Sequence, residues 1–320
     1  MNHLTGRGIL TVLVIFGLML GAAGAGLAIW LGYVPIQGPP LPANFKLAPT
    51  PTGGGVYLVG AGDIGECGLN GAGLTANLLA EYPQATLFTA GDNSYDTGTP
   101  REFQNCFDPT WGRYKDRLHP APGNHDWATP GALGYFGYFG AAAGKPGQGW
   151  YSFDLNGWHI VVLDSDCNEV EGCFTGSPQE TWLKADLAAH PARCSLAIWH
   201  HPRFSSGSHG NNPITQDFWN DLFAAGAEIV INGHDHDYER FGPQDPHANP
   251  DPAHGIREFV VGTGGALLFD PPGKPAANSQ KLIDGVYGVL ALTLYPDHYT
   301  WQFVTPAGTK QADAGSGDCH

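Results

Sequence analysis

The stretch Val56-Tyr57-Leu58-Val59-Gly60-Ala61-Gly62-Asp63-Ile64-Gly65 decides the fold of this chain. Its first six residues are apolar or small and predict a buried strand, and the glycines that follow allow a sharp turn. Asp63 therefore lies at the carboxyl end of a strand, which is where open α/β sheets present their ligand-binding groups. The pattern predicts a sheet whose strand ends carry polar functional side chains.

Three later hydrophobic runs end in the same way: Ala85–Ala90 before Asp92, Ser195–Trp199 before His200, and Ala227–Asn232 before His234. Together with a Gly-Asn-His-Asp motif, these strand ends supply seven potential metal ligands: Asp63, Asp92, Tyr95, Asn124, His200, His234 and His236. Two hard ions held a few Å apart need an oxygen-rich shell with a bridging carboxylate, completed by imidazoles. The set predicts a binuclear metal centre.

Each of these residues has an ordinary explanation when it is taken alone. An Asp before a turn is usually a cap or turn former, a single His is more often a structural hydrogen-bonding residue, and Tyr95 alone would be core or rim. Glycines precede four of the ligands, at positions 62, 91, 123 and 233, which suits positive-φ turns or close backbone approach to an ion. The combination in this order favours the metal centre.

The order of the motifs resembles the calcineurin-like metallophosphoesterases, and within them the purple acid phosphatases, over residues 56 to 304. The broader superfamily usually carries Asp-x-His in its first block, whereas this chain has Asp63-Ile64-Gly65 and places Tyr95 three residues after Asp92. Both features are similar to the purple acid phosphatase branch, in which a tyrosinate replaces a histidine on a ferric ion. The closing stretch Gly233 to Arg240 is also similar to the family's last block.

This resemblance implies two metal ions with a shared carboxylate. An Fe(III) ion would be held by Asp63, Asp92, Tyr95 and His236, and a divalent Zn, Fe or Mn ion by Asp92, Asn124, His200 and His234. The implied activity is the hydrolysis of phosphate monoesters, as in acid phosphatases, by in-line attack of a metal-bound hydroxide. A phosphodiesterase or a nucleotide or pyrophosphate hydrolase on the same centre is the alternative.

Three further histidines are candidate catalytic residues. His125, His201 and His209 are not assigned as ligands and could protonate the leaving alcohol or hold substrate oxygens. His209 belongs to the Ser- and Gly-rich loop Ser205–Gly210, which could overhang the site. Seven other histidines receive no functional interpretation: His119, His159, His190, His247, His254, His298 and His320.

A dinucleotide-binding oxidoreductase is a more remote alternative. Gly60–Gly65 matches the Gly-x-Gly-x-x-Gly fingerprint, follows a predicted strand, and has Glu81 at a suitable distance for a ribose contact. However, the next predicted helix begins only at Leu74, and a dinucleotide site does not explain the later motifs.

The N-terminal region predicts export of the enzyme. Residues 1–8 would be a short cytoplasmic segment and the apolar, uncharged residues 9–34 a transmembrane signal anchor, with 35–55 as a Pro/Gly-rich linker. A cleavable signal peptide is the rival, because Ala23-Gly24-Ala25 offers a cleavage site. The catalytic domain would then be either membrane-anchored on the extracytoplasmic side or secreted.

Residues 56–305 predict one α/β catalytic domain, a two-sheet β-sandwich flanked by helices, followed by a polar tail at 306–320. Helices are predicted at Leu74–Glu81, Pro100–Tyr114, Pro178–Ala189 and Pro213–Ala225. Further strands are predicted at Trp150–Leu155, Trp158–Asp164, Arg257–Gly262, Gly285–Tyr295 and His298–Thr305. The loops at 131–149 and 242–255 are predicted to shape the substrate pocket.

The cysteines indicate the compartment of the protein, and the net charge limits the classes of substrate. Six cysteines in an exported domain predict disulfides; Cys167 and Cys173 are close enough to pair locally, and the pairing of Cys67, Cys106, Cys194 and Cys319 stays open. The net charge of −15 disfavours nucleic acid as a partner and leaves small phosphate esters as the expected substrates. The sequence does not indicate an oligomeric state.

Overall fold

The computed structural model describes residues 45–268, 274–307 and 312–320. Within these residues, thirteen strands form two mixed sheets, and helices flank them. The predicted signal anchor at 9–34 lies outside the described residues. Among the helices that are described, none combines the length and apolar character required to cross a membrane.

The first sheet has six strands, and its central part carries two of the predicted ligand-bearing strand ends. Its strands are β1 (Val56–Ala61), β2 (Thr86–Ala90), β3 (Leu118–Ala121), β11 (Val289–Leu294), β12 (His298–Val304) and β13 (Asp313–Asp318). The spatial order is β13-β12-β11-β1-β2-β3, with β1, β2 and β3 parallel and the other neighbours antiparallel.

The second sheet has seven strands and carries the other two predicted strand ends. Its strands are β4 (Tyr151–Leu155), β5 (Trp158–Val162), β6 (Cys194–Ile198), β7 (Ile229–Asn232), β8 (Tyr238–Phe241), β9 (Arg257–Val261) and β10 (Ser279–Ile283). The order is β10-β8-β9-β7-β6-β5-β4, in which β5, β6, β7 and β9 are parallel. All residues of β5, β6 and β7 are buried, as expected for parallel strands covered on both faces.

The two sheets pack against each other through aromatic side chains. Tyr238 of β8 stacks on Phe303 of β12 with ring centroids 4.1 Å apart, and Phe259 of β9 meets Trp301 of β12 at 5.7 Å. Offset and edge-to-face pairs of this kind add about 0.5–1.5 kcal/mol each beyond their burial. The predicted α/β fold with two sheets and flanking helices is confirmed by this arrangement.

Six α-helical segments occur in the described residues: α1 (Gly71–Ala80), α2 (Pro100–Glu102), α3 (Asn124–Trp127), α4 (Leu133–Phe139), α5 (Pro178–Ala189) and α6 (Gln216–Ala224). Helix α5 has the predicted bounds because Ser177 accepts a hydrogen bond from the Glu180 amide and Pro178 fills the first position. The predicted helix Pro100–Tyr114 is instead broken into α2, a π-turn at Phe103–Phe107 and a 3₁₀ segment at Trp111–Arg117.

The C-terminal segment differs from the predicted polar tail. Residues 313–318 form strand β13, which pairs antiparallel with β12 at the edge of the first sheet. The disulfide Cys194–Cys319 ties its end to β6, and Cys67–Cys106 and Cys167–Cys173 are the other two pairs. The strand lacks the apolar alternation that signals a strand, because in Asp-Ala-Gly-Ser-Gly-Asp the only apolar side chain is the small Ala314.

Candidate metal centre

The loops after β1, β2, β6 and β7 meet at one edge where the two sheets face each other. The Asp63 amide donates to the Gly91 carbonyl at 3.0 Å, and the Gly233 amide donates to the His200 carbonyl at 3.1 Å. Asn124 reaches the same place from the first residue of α3, directly after β3. The structure therefore brings all five sequence motifs together.

Backbone strain is concentrated on the predicted ligands themselves. Asp63, Asp92 and His234 have φ values of 62°, 49° and 72°, a region that costs roughly 1–2 kcal/mol for a residue with a side chain. The preceding glycines contribute mainly by close approach: a Cβ at Gly123 would lie 2.3 Å from Asp92 Oδ1. Of the four glycines predicted for turns, Gly91 alone has a positive φ, at 85°.

Oxygen ligands dominate one half of the centre. The Tyr95 hydroxyl donates to Asp63 Oδ1 at 2.8 Å and contacts Asp92 Oδ2 at 3.1 Å. His236 Nε2 lies 3.2 Å from the same hydroxyl and 3.1 Å from Asp63 Oδ1. These four side chains are buried and turn their polar atoms toward one point.

Imidazoles and an amide make up the other half. His200 Nε2 lies 3.1 Å from Asp92 Oδ2 and 3.3 Å from His234 Nδ1. The Asn124 side-chain oxygen is buried without a hydrogen-bond partner. Asp92, Asn124 and His234 line one cavity of about 240 Å³. Asp92 Oδ2 is thus common to both halves of the centre.

This donor set fits two metal ions. A buried amide oxygen without a partner is costly, and a cation beside Asn124 would satisfy it. The imidazoles are also oriented from behind, since His200 Nδ1 lies 2.9 Å from the Ala90 carbonyl and His236 Nδ1 lies 2.5 Å from that of Leu267. Such second contacts are the usual support of metal-binding histidines.

The electrostatics of the centre favour positive charge. Burial would lower the pKa of His200, but the adjacent Asp92 carboxylate outweighs it and raises the pKa to about 10. Asp63 raises the pKa of His236 to about 9 in the same way, against burial. Burial and the two carboxylates hold the pKa of the Tyr95 phenol well above its ordinary value. A bound cation would replace these protons and allow the tyrosinate to form.

Two of the three candidate catalytic histidines border the cavity. His125 Nδ1 lies 2.5 Å from the Asp96 carbonyl, and its Nε2 is 3.9 Å from Asp92 Oδ2. His209 contacts Asp235 Oδ1 through Nδ1 at 2.9 Å, and its ring lies 4.1 Å from that of His234. Their side chains are 35% and 46% exposed, so substrate can reach both.

His201 lies beside two of the predicted ligands, with its ring centroid 4.3 Å from that of His234 and 5.1 Å from that of His200. It borders a separate cavity of about 160 Å³, where its Nδ1 contacts Ser165 Oγ at 2.8 Å. Burial lowers its pKa to about 3, assisted by the charge of His200. The structure does not bring His201 into the cavity that His125 and His209 share.

Several residues of the site were not predicted from the sequence. Asp235 holds the loop of His209 by accepting hydrogen bonds from the amide and ring of His209 and from Ser205 Oγ. Glu66 and Leu267 also line the cavity, whereas no residue of the predicted pocket loops 131–149 and 242–255 does. The position of Asp235 between two predicted ligands could have indicated its role, but Leu267 carries no comparable signal.

The dinucleotide-binding alternative does not match this geometry. Residues 62–70 form turns and an isolated bridge rather than a helix, and α1 begins only at Gly71. The Asp63 side chain, within the fingerprint, points instead into the cluster with Tyr95 and His236.

Comparisons with known proteins find relatives in sequence and in fold. Purple acid phosphatase 22 of Arabidopsis thaliana is 27% identical over 179 residues, which are 51% of this chain and 39% of that protein. Among solved structures, the purple acid phosphatase PPD1 of yellow lupin (Lupinus luteus) has a TM-score of 0.63 at 17% identity, covering 82% of this chain and 53% of that one. GAP50, described as the anchor in the inner membrane complex of Plasmodium, has a TM-score of 0.64 at 14% identity, covering 83% and 89%.

The structural likenesses establish the fold alone. The chain spans less than half the length of the curated relative from Arabidopsis thaliana. The sequence profile described as Calcineurin-like phosphoesterase matches residues 59–238, which include all seven predicted ligands. The chain therefore belongs to the calcineurin-like phosphoesterase family.

Proposed function

We propose that this chain is a binuclear metal-dependent phosphoesterase that hydrolyses small phosphate monoesters. The observation that carries the proposal is the convergence of the seven predicted ligands, in which Asp92 Oδ2 contacts both Tyr95 and His200 and the Asn124 oxygen is buried without a hydrogen-bond partner. Membership of the phosphoesterase family supports the reaction class.

The two ions would divide the ligands as the resemblance implies. Fe(III) would be held by Asp63, Asp92, Tyr95 and His236, and Zn, Fe or Mn in the divalent state by Asp92, Asn124, His200 and His234. When bound, such a pair lowers the pKa of water and neutralises the phosphoryl charge. The protein supplies the fixed geometry, because Asp63 and Asp92 accept amide hydrogen bonds from His234 and His125 through their second oxygens.

His125 and His209 are placed to act on the substrate. Both stand at the mouth of the 240 Å³ cavity, where an imidazole can hold a phosphoryl oxygen or give a proton to the leaving alcohol. Asp235 orients His209 by contacting its ring through Nδ1, which leaves Nε2 directed away from that carboxylate. His201 packs against the ring of His234 and borders a different cavity, so its part would be to position the ligands rather than to touch the substrate.

The rim of the cavity favours monoesters over polyphosphates. Glu66 and Asp96 line it, and no Lys or Arg is found among the lining residues that the structure describes. A second phosphate of a pyrophosphate or nucleotide would therefore approach carboxylates without a compensating cation. A phosphodiester carries no such extra charge, and diester hydrolysis remains the alternative to be tested.

The deciding experiment is a substrate screen on purified protein of known metal content. We expect kcat/KM for an aryl monoester to exceed that for pyrophosphate by at least tenfold, with two ions per chain in the active fraction. Hydrolysis of the diester faster than the monoester would replace the proposal by its alternative. An absence of hydrolysis of all three by metal-loaded protein would refute the enzyme assignment.

We also propose an extracytoplasmic location, either anchored through residues 9–34 or secreted. The three disulfides support it, since such bonds persist in oxidising compartments. Cell fractionation with N-terminal sequencing separates the two forms: the anchored protein keeps residue 1 in the membrane fraction, and the secreted one begins near residue 26. Recovery of the reduced protein in the cytoplasm would contradict both.

A further inference from the structure

Two histidines without a predicted function lie beside Asp186, away from the phosphoesterase centre. His159 is the second residue of β5, whereas the loops of the phosphoesterase centre follow the opposite, carboxyl ends of the parallel strands. His190 caps the C-terminus of α5, four residues after Asp186. The cluster therefore joins β5 to the helix that packs on it.

The three side chains have the composition and spacing of a metal site. One ligand atom from each of His159, Asp186 and His190 can be chosen so that all lie within 4.8 Å of one another. His159 Nε2 is 2.9 Å from Asp186 Oδ2, and His190 Nδ1 is 3.3 Å from Asp186 Oδ1. Ligands of a tetrahedral zinc ion are separated by roughly 3.4 Å, given Zn–N distances of about 2.0–2.1 Å. His190 Nδ1 also lies 2.9 Å from the Asp186 carbonyl oxygen, a contact that the side chain would give up to bind an ion through this nitrogen.

The placement on the helix supports the same conclusion. Residues four apart lie on one face of a helix, so Asp186 and His190 present their side chains side by side. The rings of His159 and His190 are stacked, with centroids 4.9 Å apart and an interplanar angle of 14°, so one ring would have to turn for nitrogens of both to face the same ion. Zinc sites often take two ligands from positions i and i+4 of a helix and a third ligand from a neighbouring element.

The supporting contacts also match a metal site. His159 Nδ1 lies 2.9 Å from Asp154 Oδ1, so that a carboxylate stands behind the ring nitrogen that would not bind the ion. Asp186 Oδ1 accepts a hydrogen bond from Ser152 Oγ at 3.0 Å. Metal-binding histidines and carboxylates are commonly held by such partners. A protonated His159 between two carboxylates would use the same hydrogen bonds, and this rival predicts that no ion binds.

We propose that His159, Asp186 and His190 bind a divalent first-row metal ion, with Zn²⁺ as the best match. Two imidazoles and one carboxylate supply three ligands, and a water completes the shell because the His190 side chain is 49% exposed. The ion links β5 to α5 and is separate from the phosphoesterase centre. The chain then takes up three ions in total rather than two.

Zinc binding by the full chain, counted at saturation after the phosphoesterase centre has been loaded, tests the proposal. We expect one more equivalent in the wild type than in His190→Ala or Asp186→Asn, and a zinc-dependent rise in the melting temperature that both variants lose. Phosphate-ester hydrolysis should be unchanged in His190→Ala, which also shows that this variant is folded. His247→Ala removes an exposed histidine on the loop between β8 and β9 and should keep the wild-type count.

Zinc binding at saturation by the wild type that does not exceed that of His190→Ala overturns the proposal, whatever the total number of ions. Equal zinc binding by the wild type and both variants also overturns the proposal. It would show that the three side chains form a hydrogen-bonded cluster without an ion. Because the ions are counted rather than inferred from turnover, a failure of the phosphoesterase assignment would leave this result unaffected.

Discussion

Asp92 has the central place in the site because one of its oxygens serves both halves. Oδ2 contacts Tyr95 at 3.1 Å and His200 at 3.1 Å, while Oδ1 accepts the His125 amide at 2.8 Å. The residue is 1% exposed, so its charge is screened little by water. Burial would raise its pKa, but the opposing charge of His200 keeps the pKa of this carboxyl below its ordinary value.

Asp92→Asn should abolish hydrolysis and lower the metal content while the fold is kept. The amide has the same shape but cannot supply the anionic oxygen that the two proposed ions would share. We expect kcat/KM to fall more than tenfold, a barrier increase of at least about 1.4 kcal/mol. Asp297→Asn removes an exposed carboxylate and should behave as the wild type. An Asp92→Asn protein with two ions and over a tenth of wild-type turnover would contradict the bridging role.

The Tyr95→Phe variant tests whether the ion proposed beside Tyr95 is Fe(III). A tyrosinate on Fe(III) absorbs visible light, so the loaded protein should be coloured and Tyr95→Phe should lose the band while still binding metal less tightly. Tyr135→Phe is the matched control, because this buried phenol donates to the Pro120 carbonyl instead. A colourless wild type that is fully active with zinc or manganese alone would end the ferric assignment and leave the phosphoesterase proposal standing.

Protonation of His119 is expected to reduce the stability of the fold in acid. Burial lowers its pKa to about 4, whereas the unfolded chain titrates near 6.5. The unfolded state therefore binds more protons below pH 6.5, and stability decreases as the pH falls through that range to about 4. At pH 5 this group lowers the free energy of unfolding by about 2 kcal/mol relative to neutral pH.

His119→Phe removes the titrating group and retains an aromatic ring for stacking on Phe153, whose centroid lies 3.7 Å away. Urea unfolding at pH 7 and pH 5 should show a smaller acid-induced loss in this variant. An equal loss in the two proteins would show that His119 does not contribute.

At the scale of elements, the sequence predicted the parts whose pattern is local. Strands ending at Ala61 and Asn232 and helix α5 were found because apolar runs, glycine turns and the Ser177 cap lie within a few residues of each other. Asn156-Gly157 between the two predicted strands is typical of a hairpin, and in the turn between β4 and β5 both residues have the positive φ that a tight turn requires.

Elements fixed by distant partners were missed. Strands β3, β8, β10 and β13 are short or polar and exist because a neighbouring strand pairs with them. In the site, motif order predicted the seven residues that converge, whereas the contacts of Leu267 with His236 and of Asp235 with His209 depend on how loops from separate elements meet. The residues next to each contact in the sequence do not indicate which loop they will contact.

The Cys194–Cys319 disulfide is expected to secure strand β13. It closes a loop of 125 residues, and cross-links of that span stabilise a chain by about 2–5 kcal/mol. The double variant Cys194→Ser, Cys319→Ser should unfold at lower denaturant and expose the amides of residues 313–318 to hydrogen exchange first. Replacing Cys167 and Cys173, which close a loop of 6 residues, should cost less. Equal losses would show that the long bond does not hold the edge strand.

At the scale of the whole molecule, the boundary between linker and domain lies earlier than the sequence indicates. The predicted linker ends at residue 55, yet the Ala48 amide donates to the Glu81 carbonyl at 2.8 Å. The Tyr57 hydroxyl donates to the Pro49 carbonyl at 2.8 Å, and the Asn156 side-chain amide donates to the Gly54 carbonyl at 2.9 Å. Residues 48–54 are therefore part of the domain surface.

Two truncations separate these boundaries. Deleting residues 1–44 should release a soluble, active domain, because all predicted ligands and the contacts of residues 48–54 are retained. Deleting residues 1–55 should keep activity at low temperature but lose about 1–3 kcal/mol of unfolding free energy, since three hydrogen bonds of about 1 kcal/mol each are removed. Thermal unfolding of the two proteins at equal metal content gives the comparison. If both unfold at the same temperature, the segment 48–54 is a linker after all, as its proline and glycine content first predicted.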